Sequence, residues 1–88
     1  MVRGLPDPAY PSPLRHYVGQ VLQEWREARA WTRTQLQRAT GIWHTTIRAI
    51  EEGRSGGTTD RLDRLSIALG HDIAALFAEA HRRRRQHG

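Results

Sequence analysis

Apolar residues recur at spacings of three and four along most of this chain, and this helical period limits the fold more than any other sequence feature. No stretch alternates with the period of two that a half-buried strand needs. The chain has 88 residues and no cysteine, so apolar packing alone must hold a small domain together. These observations predict a compact all-α domain.

The first predicted helix begins at Ser12 and Pro13, because serine can cap free amides and proline fits the first helical position. It ends near Arg29. Before it, residues 1–11 are rich in proline, and we predict a flexible arm there. The apolar face of this helix consists of Leu14, Tyr17, Val18, Val21, Leu22, Trp25 and Ala28.

Two short helices are predicted on either side of Gly41. The first, over 33–40, begins with a capping box formed by Thr32 and Gln35. Gly41 supplies the tight turn, and the second helix runs over 44–52. The apolar side chains expected to hold this corner against the body are Leu36, Ile42, Ile47 and Ile50.

Two further helices complete the prediction. The fourth runs over 60–69, and the fifth follows Asp72, which can cap it. The helix-turn-helix domain is thus expected over 12–81. The basic segment 82–88 is expected to fray from the end of the fifth helix and form a mobile tail, because four adjacent arginines cannot share one helical face.

A set of residues in these helices and turns carries a family resemblance. They are Leu22, Arg26, Thr32, Leu36, Gly41, Ile42, Thr46, Ile47, Ile50, Glu51, Gly53, Arg54, Leu65, Ala68, Leu69, Gly70, Leu76 and Phe77. With them, the segment from Val18 to Phe77 resembles the lambda repressor/Cro-like (XRE-type) helix-turn-helix family. The resemblance implies a five-helix, lambda-repressor-like domain that binds double-stranded DNA with its third helix in the major groove.

Several positions depart from the pattern of that family. Ala30 stands where glycine is usual, Arg33 replaces glutamine, Gln37 replaces a small residue, Trp43 replaces serine and Gly57 replaces proline. We expect Arg33 to gain a charge-assisted phosphate contact. Gln37 is expected to shift the crossing of the second and third helices, and Trp43 to remove the usual cap of the third.

The resemblance also implies which side chains meet DNA. The residues expected to contact base edges lie at the start of the third helix and are Trp43, His44, Thr45 and Arg48. Arg33 and Arg54 are expected to contact phosphates. Each has a plainer alternative: Arg48, His44 and Thr45 as solvated surface, and Trp43 as a partly buried filler beside Gly41 with one exposed edge. Trp25 and Trp31 are interpreted as structural.

The charge is unevenly distributed. The net charge is +5, and all 14 basic residues are arginines, four of which form the block at 82–85. The rest of the chain is nearly neutral, with ten arginines against nine acidic residues. Non-specific binding of nucleic acid through the tail is therefore a further hypothesis.

Catalytic and membrane functions find no support in the sequence. The five histidines lack metal-ligand spacing, and Glu51 and Glu52 point to different sides of a helix. We predict no enzymatic activity, no metal and no cofactor. No apolar run is long enough to span a bilayer or to form a signal peptide, so we expect a cytoplasmic protein.

The predicted function is sequence-specific regulation of transcription, with repression as the expected mode. A homodimer through the fifth helix is expected at Ile73, Leu76, Phe77 and Ala80, although the same residues could instead close the core of the monomer. The alternative function is a protein-interaction module, antitoxin-like or an adaptor, that keeps the helix-turn-helix as a scaffold.

Overall fold

The computed structural model describes residues 12–87, which form five α-helices and contain no strand. The predicted all-α, five-helix architecture is confirmed, whereas the predicted arm at 1–11 lies outside the described residues. The helices are α1 (Leu14–Ala28), α2 (Arg33–Thr40), α3 (His44–Glu51), α4 (Thr59–Ala68) and α5 (Ile73–His87). In this part of the chain, no helix is both long and apolar enough to cross a membrane.

In three helices, the side chain of the N-cap residue, which directly precedes the helix, bonds an amide of the first turn. The capping box of α2 is confirmed: Gln35 N donates to Thr32 Oγ1 at 3.1 Å, and Thr32 N donates to Gln35 Oε1 at 2.7 Å. Thr58 caps α4, and the predicted cap of α5 is confirmed by the Ala75 N bond to Asp72 Oδ1 at 2.7 Å. Each bond satisfies an amide that the helix itself leaves unpaired.

The start of α1 differs from the prediction. Pro13 is its N-cap residue and no side chain caps it, so the predicted role of Ser12 as the cap is wrong. The fixed φ of proline, here −56°, is already close to helical values and begins the helix without such a bond.

The core forms where α1 packs against α3 and α5, while α2 packs against α3 and α4. The burial predicted at the corner is confirmed for Leu36, Ile42, Ile47 and Ile50. A close approach lies at Gly19 in α1, where a Cβ atom would collide with the backbone carbonyls of Ile50 and Glu51. The buried apolar side chains are Tyr17, Val18, Val21, Leu22, Leu36, Ile42, Ile47, Ile50, Leu62, Leu65, Leu69, Leu76 and Ala80.

Trp25 and Trp31 are half-buried and pack against this core, in agreement with their structural interpretation. The Trp25 ring is also stacked on the imidazole of His71, with 3.6 Å between ring centroids and 6° between the planes. The guanidinium carbon of Arg29 lies 5.3 Å from the centre of the Trp31 ring. Both aromatic side chains therefore join α1 and its C-terminal turn to the rest of the domain.

The arginine block does not fray. Helix α5 continues through it to His87, and Arg83 joins it to α1 with an Nη1 bond to Glu24 Oε2 at 2.6 Å. Arg83 Nε also bonds Glu79 Oε1 at 3.0 Å, and bonds from Arg82 and Arg83 lower the pKa of Glu79 to about 2. These carboxylates hold the segment in place, so the prediction of a mobile end is wrong.

Candidate nucleic-acid interface

The surface of interest is the outer side of α3, which the corner at Gly41 turns away from the body. Gly41 ends α2 in the left-handed conformation, with φ +77°, which a side chain would strain. The inner side of α3 is anchored by the buried residues Ile47 and Ile50. The outer side carries the exposed residues Trp43, His44, Thr45 and Arg48.

Trp43 stands at the leading end of this surface and is 67% exposed. The expectation of partial burial beside Gly41 is wrong, because Ile42 fills that position and is only 5% exposed. Trp43 is the N-cap residue of α3, but it makes no side-chain capping bond because its indole is only a donor. Its ring meets that of His44 edge-on, with 6.4 Å between centroids.

The amide at the start of α3 is bonded from outside the helix. Gln37, on α2, accepts a hydrogen bond from His44 N to its Oε1 at 2.9 Å. Sequence reasoning assigned Gln37 only an effect on helix crossing. It missed this bond because the two residues are separated by the whole turn, where no capping pattern applies.

Two arginines beside this surface share one exposed carboxylate. Arg48 Nε donates to Glu52 Oε2 at 3.0 Å, and Arg54 Nε donates to Glu52 Oε1 at 2.9 Å. Hydrogen bonds from Arg48 and then Arg54 lower the pKa of Glu52 below its ordinary value. Both arginine side chains remain 61% exposed, so they are accessible to a ligand.

The neighbouring glutamate is buried. Arg26 donates to both oxygens of Glu51, at 2.7 and 3.0 Å, and its Nη1 donates to the Trp31 carbonyl at 2.7 Å. The hydrogen bond to Glu51 is the main cause that raises the pKa of Arg26 above its ordinary value. The predicted opposite orientations of Glu51 and Glu52 are confirmed. The burial of Glu51 was missed, because Arg26 lies 25 positions away in sequence.

Arg33, at the start of α2, is attached to the same buried carboxylate. Its Nε donates to Glu51 Oε1 at 2.9 Å, and its side chain is 30% exposed. Two arginines against one glutamate leave an excess positive charge at the beginning of α2. The structure thus places Arg33 at the rim of the domain with a protein partner, and its phosphate contact stays a prediction.

The sequence profile described as "Helix-turn-helix domain" matches residues 18–80. The chain belongs to this helix-turn-helix family. The resemblance inferred from the sequence is thereby confirmed. None of the curated proteins matches the chain significantly. Within residues 12–87, no group of three or more histidine, aspartate or glutamate side chains is arranged to hold a metal ion.

Solved structures with the same helical fold include several regulators. The clp gene regulator ClgR from C. glutamicum is 25% identical, with a TM-score of 0.78 over 86% of this chain and 97% of that one. The restriction-modification controller protein C.Esp1396I, a tetramer in complex with its natural 35 base-pair operator, is 21% identical; its TM-score is 0.70 over 81% and 93%. A hypothetical transcription factor, NHTF from Neisseria, is 22% identical, with a TM-score of 0.73 over 98% and 95%.

Proposed function

We propose that this helix-turn-helix protein is a sequence-specific DNA-binding regulator of transcription that acts as a repressor. The main observation behind this proposal is that the two sides of α3 differ. Its inner side is anchored in the core, whereas its outer side and the residue before it expose Trp43, His44, Thr45 and Arg48 together. An α-helix presented in this way fits the major groove of B-form DNA. The likeness to the gene regulator ClgR and to an operator-bound controller protein supports the proposal.

Each exposed side chain suits a particular contact with DNA. The guanidinium of Arg48 can bind O6 and N7 of guanine together, once it leaves Glu52. His44 and Thr45, in the first turn of α3, are suited to hydrogen bonds with base edges, and the Thr45 methyl group to a thymine methyl. Arg33 and Arg54 flank the helix and are assigned to phosphates, which position the domain without reading sequence.

The proposed dimer uses the outer face of α5. The predicted seam is wrong at Leu76 and Ala80, which are fully buried in the core of one copy. Ile73 is partly buried and packs against that core, so Phe77, 37% exposed, is the apolar contact that we assign to the seam. Two copies related by a two-fold axis would place their α3 helices roughly 34 Å apart, one turn of DNA. Sedimentation of the native chain and of Phe77→Glu tests this: the native chain should dimerise, and the variant should be a monomer.

A selection experiment tests the proposed DNA binding. Duplexes that bind the protein are recovered from a random-sequence pool, and the affinities of recovered and random duplexes are compared at two salt concentrations. We expect a clear preference for the recovered sequence that persists at the higher salt. Binding that depends on salt without sequence preference would contradict specific reading.

A second candidate function, a protein-interaction module, is favoured by one observation. A groove of about 290 Å³ lies beside Ile67, which is 60% exposed. A protein segment with an apolar side chain would fit such a groove. Absence of any selected duplex in the experiment above, with a folded protein, would favour this candidate. The groove is lined by Ala39, Asp60, Asp63, Arg64, Ile67 and Ala68.

A further inference from the structure

The first turn of α3 is held differently from the first turns of α2, α4 and α5. Those three helices begin with Thr32, Thr58 and Asp72, each of which caps its own helix. Helix α3 follows Trp43, whose side chain cannot accept a hydrogen bond, and its first amide, His44 N, is bonded by Gln37 of the preceding helix. The first amide of α3 is thus satisfied from outside the helix by residue 37, and no side chain at residue 43 caps the helix.

Gln37 is bonded on both sides of the corner. Its backbone carbonyl accepts from Gly41 N at 2.7 Å, and its side-chain oxygen accepts from His44 N at 2.9 Å. One residue therefore holds the end of α2 and the beginning of α3. This arrangement fixes the direction in which α3 leaves the turn, and with it the position of the residue that precedes α3.

That residue, Trp43, has an exposure that folding does not explain. A tryptophan gains more free energy from burial than most side chains, and Trp25 and Trp31 of the same chain pack against the core. Trp43 is nevertheless 67% exposed, at the end of α3 that enters the groove in the proposed function. An indole at this point can contact the apolar edge of DNA, the thymine methyl group or the deoxyribose.

We propose that Gln37 is a positioning residue that bonds the first amide of α3 and thereby fixes the place of residue 43, whose aromatic side chain contacts the apolar edge of the DNA groove. The DNA contact rests on the proposed function, whereas the capping relation does not. The two parts are therefore tested separately, by the folding of the full chain and by its binding to DNA.

The folding test compares Gln37→Ala in the native chain and in a Trp43→Ser chain. The backbone at Trp43, with φ −59° and ψ 142°, suits a capping serine, which would accept from another amide of the same first turn. We expect Gln37→Ala to lower the folding equilibrium constant roughly fivefold in both chains, because a serine at position 43 would cap a different amide and leave His44 N to Gln37. A loss in the native chain alone, or in neither chain, would overturn the capping relation.

Gln35→Ala is the matched control for that test. Gln35 lies on the same helix and bonds a helix-terminal amide through the same atom, but at the start of α2. Gln35→Ala should lower the folding equilibrium constant in both chains but leave hydrogen exchange of the His44 amide unchanged. Gln37→Glu keeps an acceptor at the cap and should restore slow hydrogen exchange of the His44 amide, which Gln37→Ala should accelerate.

The binding test uses a duplex recovered by the native protein from a random-sequence pool. Trp43→Ala should weaken binding roughly fivefold or more, and Trp43→Phe should retain most of the affinity. Gln37→Ala should weaken binding in the native chain but not in the Trp43→Ala chain, a pattern that a purely structural role of Gln37 would not produce. If Trp43→Ala binds as tightly as the native protein, the aromatic contact is wrong.

Replacing thymine by uracil distinguishes the two apolar groups of DNA. If the uracil duplex is bound more weakly by the native chain but not by Trp43→Ala, the contact is assigned to a thymine methyl group. If the native chain binds both duplexes equally, the contact is assigned to deoxyribose. If the native protein recovers no duplex at all, the proposed function fails and the DNA contact fails with it. The folding test then still decides whether Gln37 caps α3.

Discussion

Glu51 and Glu52 are neighbours in sequence, and each accepts hydrogen bonds from two arginines. Glu51 is buried, and its partners Arg26 and Arg33 come from α1 and α2. Glu52 is exposed, and its partners Arg48 and Arg54 lie close to it along the chain. The same carboxylate-arginine chemistry therefore joins three helices at one position and only arranges surface side chains at the next.

The difference follows from solvent. A buried carboxylate has lost its hydration and depends on its partners, so removing one side leaves an uncompensated charge. An exposed pair exchanges protein contacts for water at little cost. We therefore expect changes at Glu51 to affect stability, and changes around Glu52 to affect binding to DNA.

The largest effect is expected from Glu51→Gln. Breaking a buried ion pair costs about 3–5 kcal/mol, because Arg26 would keep its charge without a carboxylate partner. Urea unfolding of the two chains measures the loss. Arg33→Ala, which removes only the half-exposed partner, is the control and should cost much less. A Glu51→Gln chain as stable as the native one would remove the distinction between the two glutamates.

A smaller effect is expected from Arg48→Ala, and only on DNA binding. Loss of a bidentate contact to guanine should weaken specific binding by about 1–3 kcal/mol and relax the preference at one base position. Titration of the selected duplex and of its single-base variants measures both effects. Equal weakening on all sequences would instead identify Arg48 as a phosphate contact.

Glu52→Gln should strengthen DNA binding while leaving stability nearly unchanged. The change frees Arg48 and Arg54 from a competing carboxylate and removes a negative charge beside the proposed interface. Each additional phosphate contact should steepen the dependence of log affinity on log salt by roughly 0.9. Asp63→Asn on α4 makes the same change in net charge away from α3 and should have little effect. Weaker binding by Glu52→Gln would mean that Glu52 positions the arginines for DNA.

The smallest expected effect concerns pH. The pKa of Glu52 is lowered from 4.5 in the folded protein, so any stabilisation from its ion pairs is fully present above that value. It is lost as the pH falls through the lowered pKa. The difference in DNA affinity between the native chain and Glu52→Gln should therefore be constant at neutral and weakly acidic pH. A difference that changes near neutrality would contradict the assignment of the effect to Glu52.

Much of the fold could be predicted because helix periods and caps are local. The α2 capping box, the turn at Gly41 and the cap at Asp72 each depend on residues within one turn of one another. The prediction for the end of α5 was wrong because the contacts that hold this end are not local. Four adjacent arginines cannot share one helical face, and the carboxylate that holds Arg83 to α1 is 59 positions away.

The candidate site was predicted less completely. The range of α3 was predicted from local signals and its role from the resemblance, and the exposure of His44, Thr45 and Arg48 agrees with that role. The exposure of Trp43 depended on whether Trp43 or Ile42 fills the corner, which residue types alone do not decide. The contacts of Arg33 and Gln37 reach across different helices and required the packed structure.

The stacking of His87 on Tyr17, with 6.1 Å between ring centroids, places the end of α5 beside the first turn of α1. The domain is therefore suited to circular permutation, in which a short linker joins residue 87 to residue 12 and new ends open elsewhere. The loop at 54–58, between α3 and α4, is the natural place for the opening. Such a chain would keep every helix but synthesise α4 and α5 before α1, so it would separate the order of synthesis from the final packing.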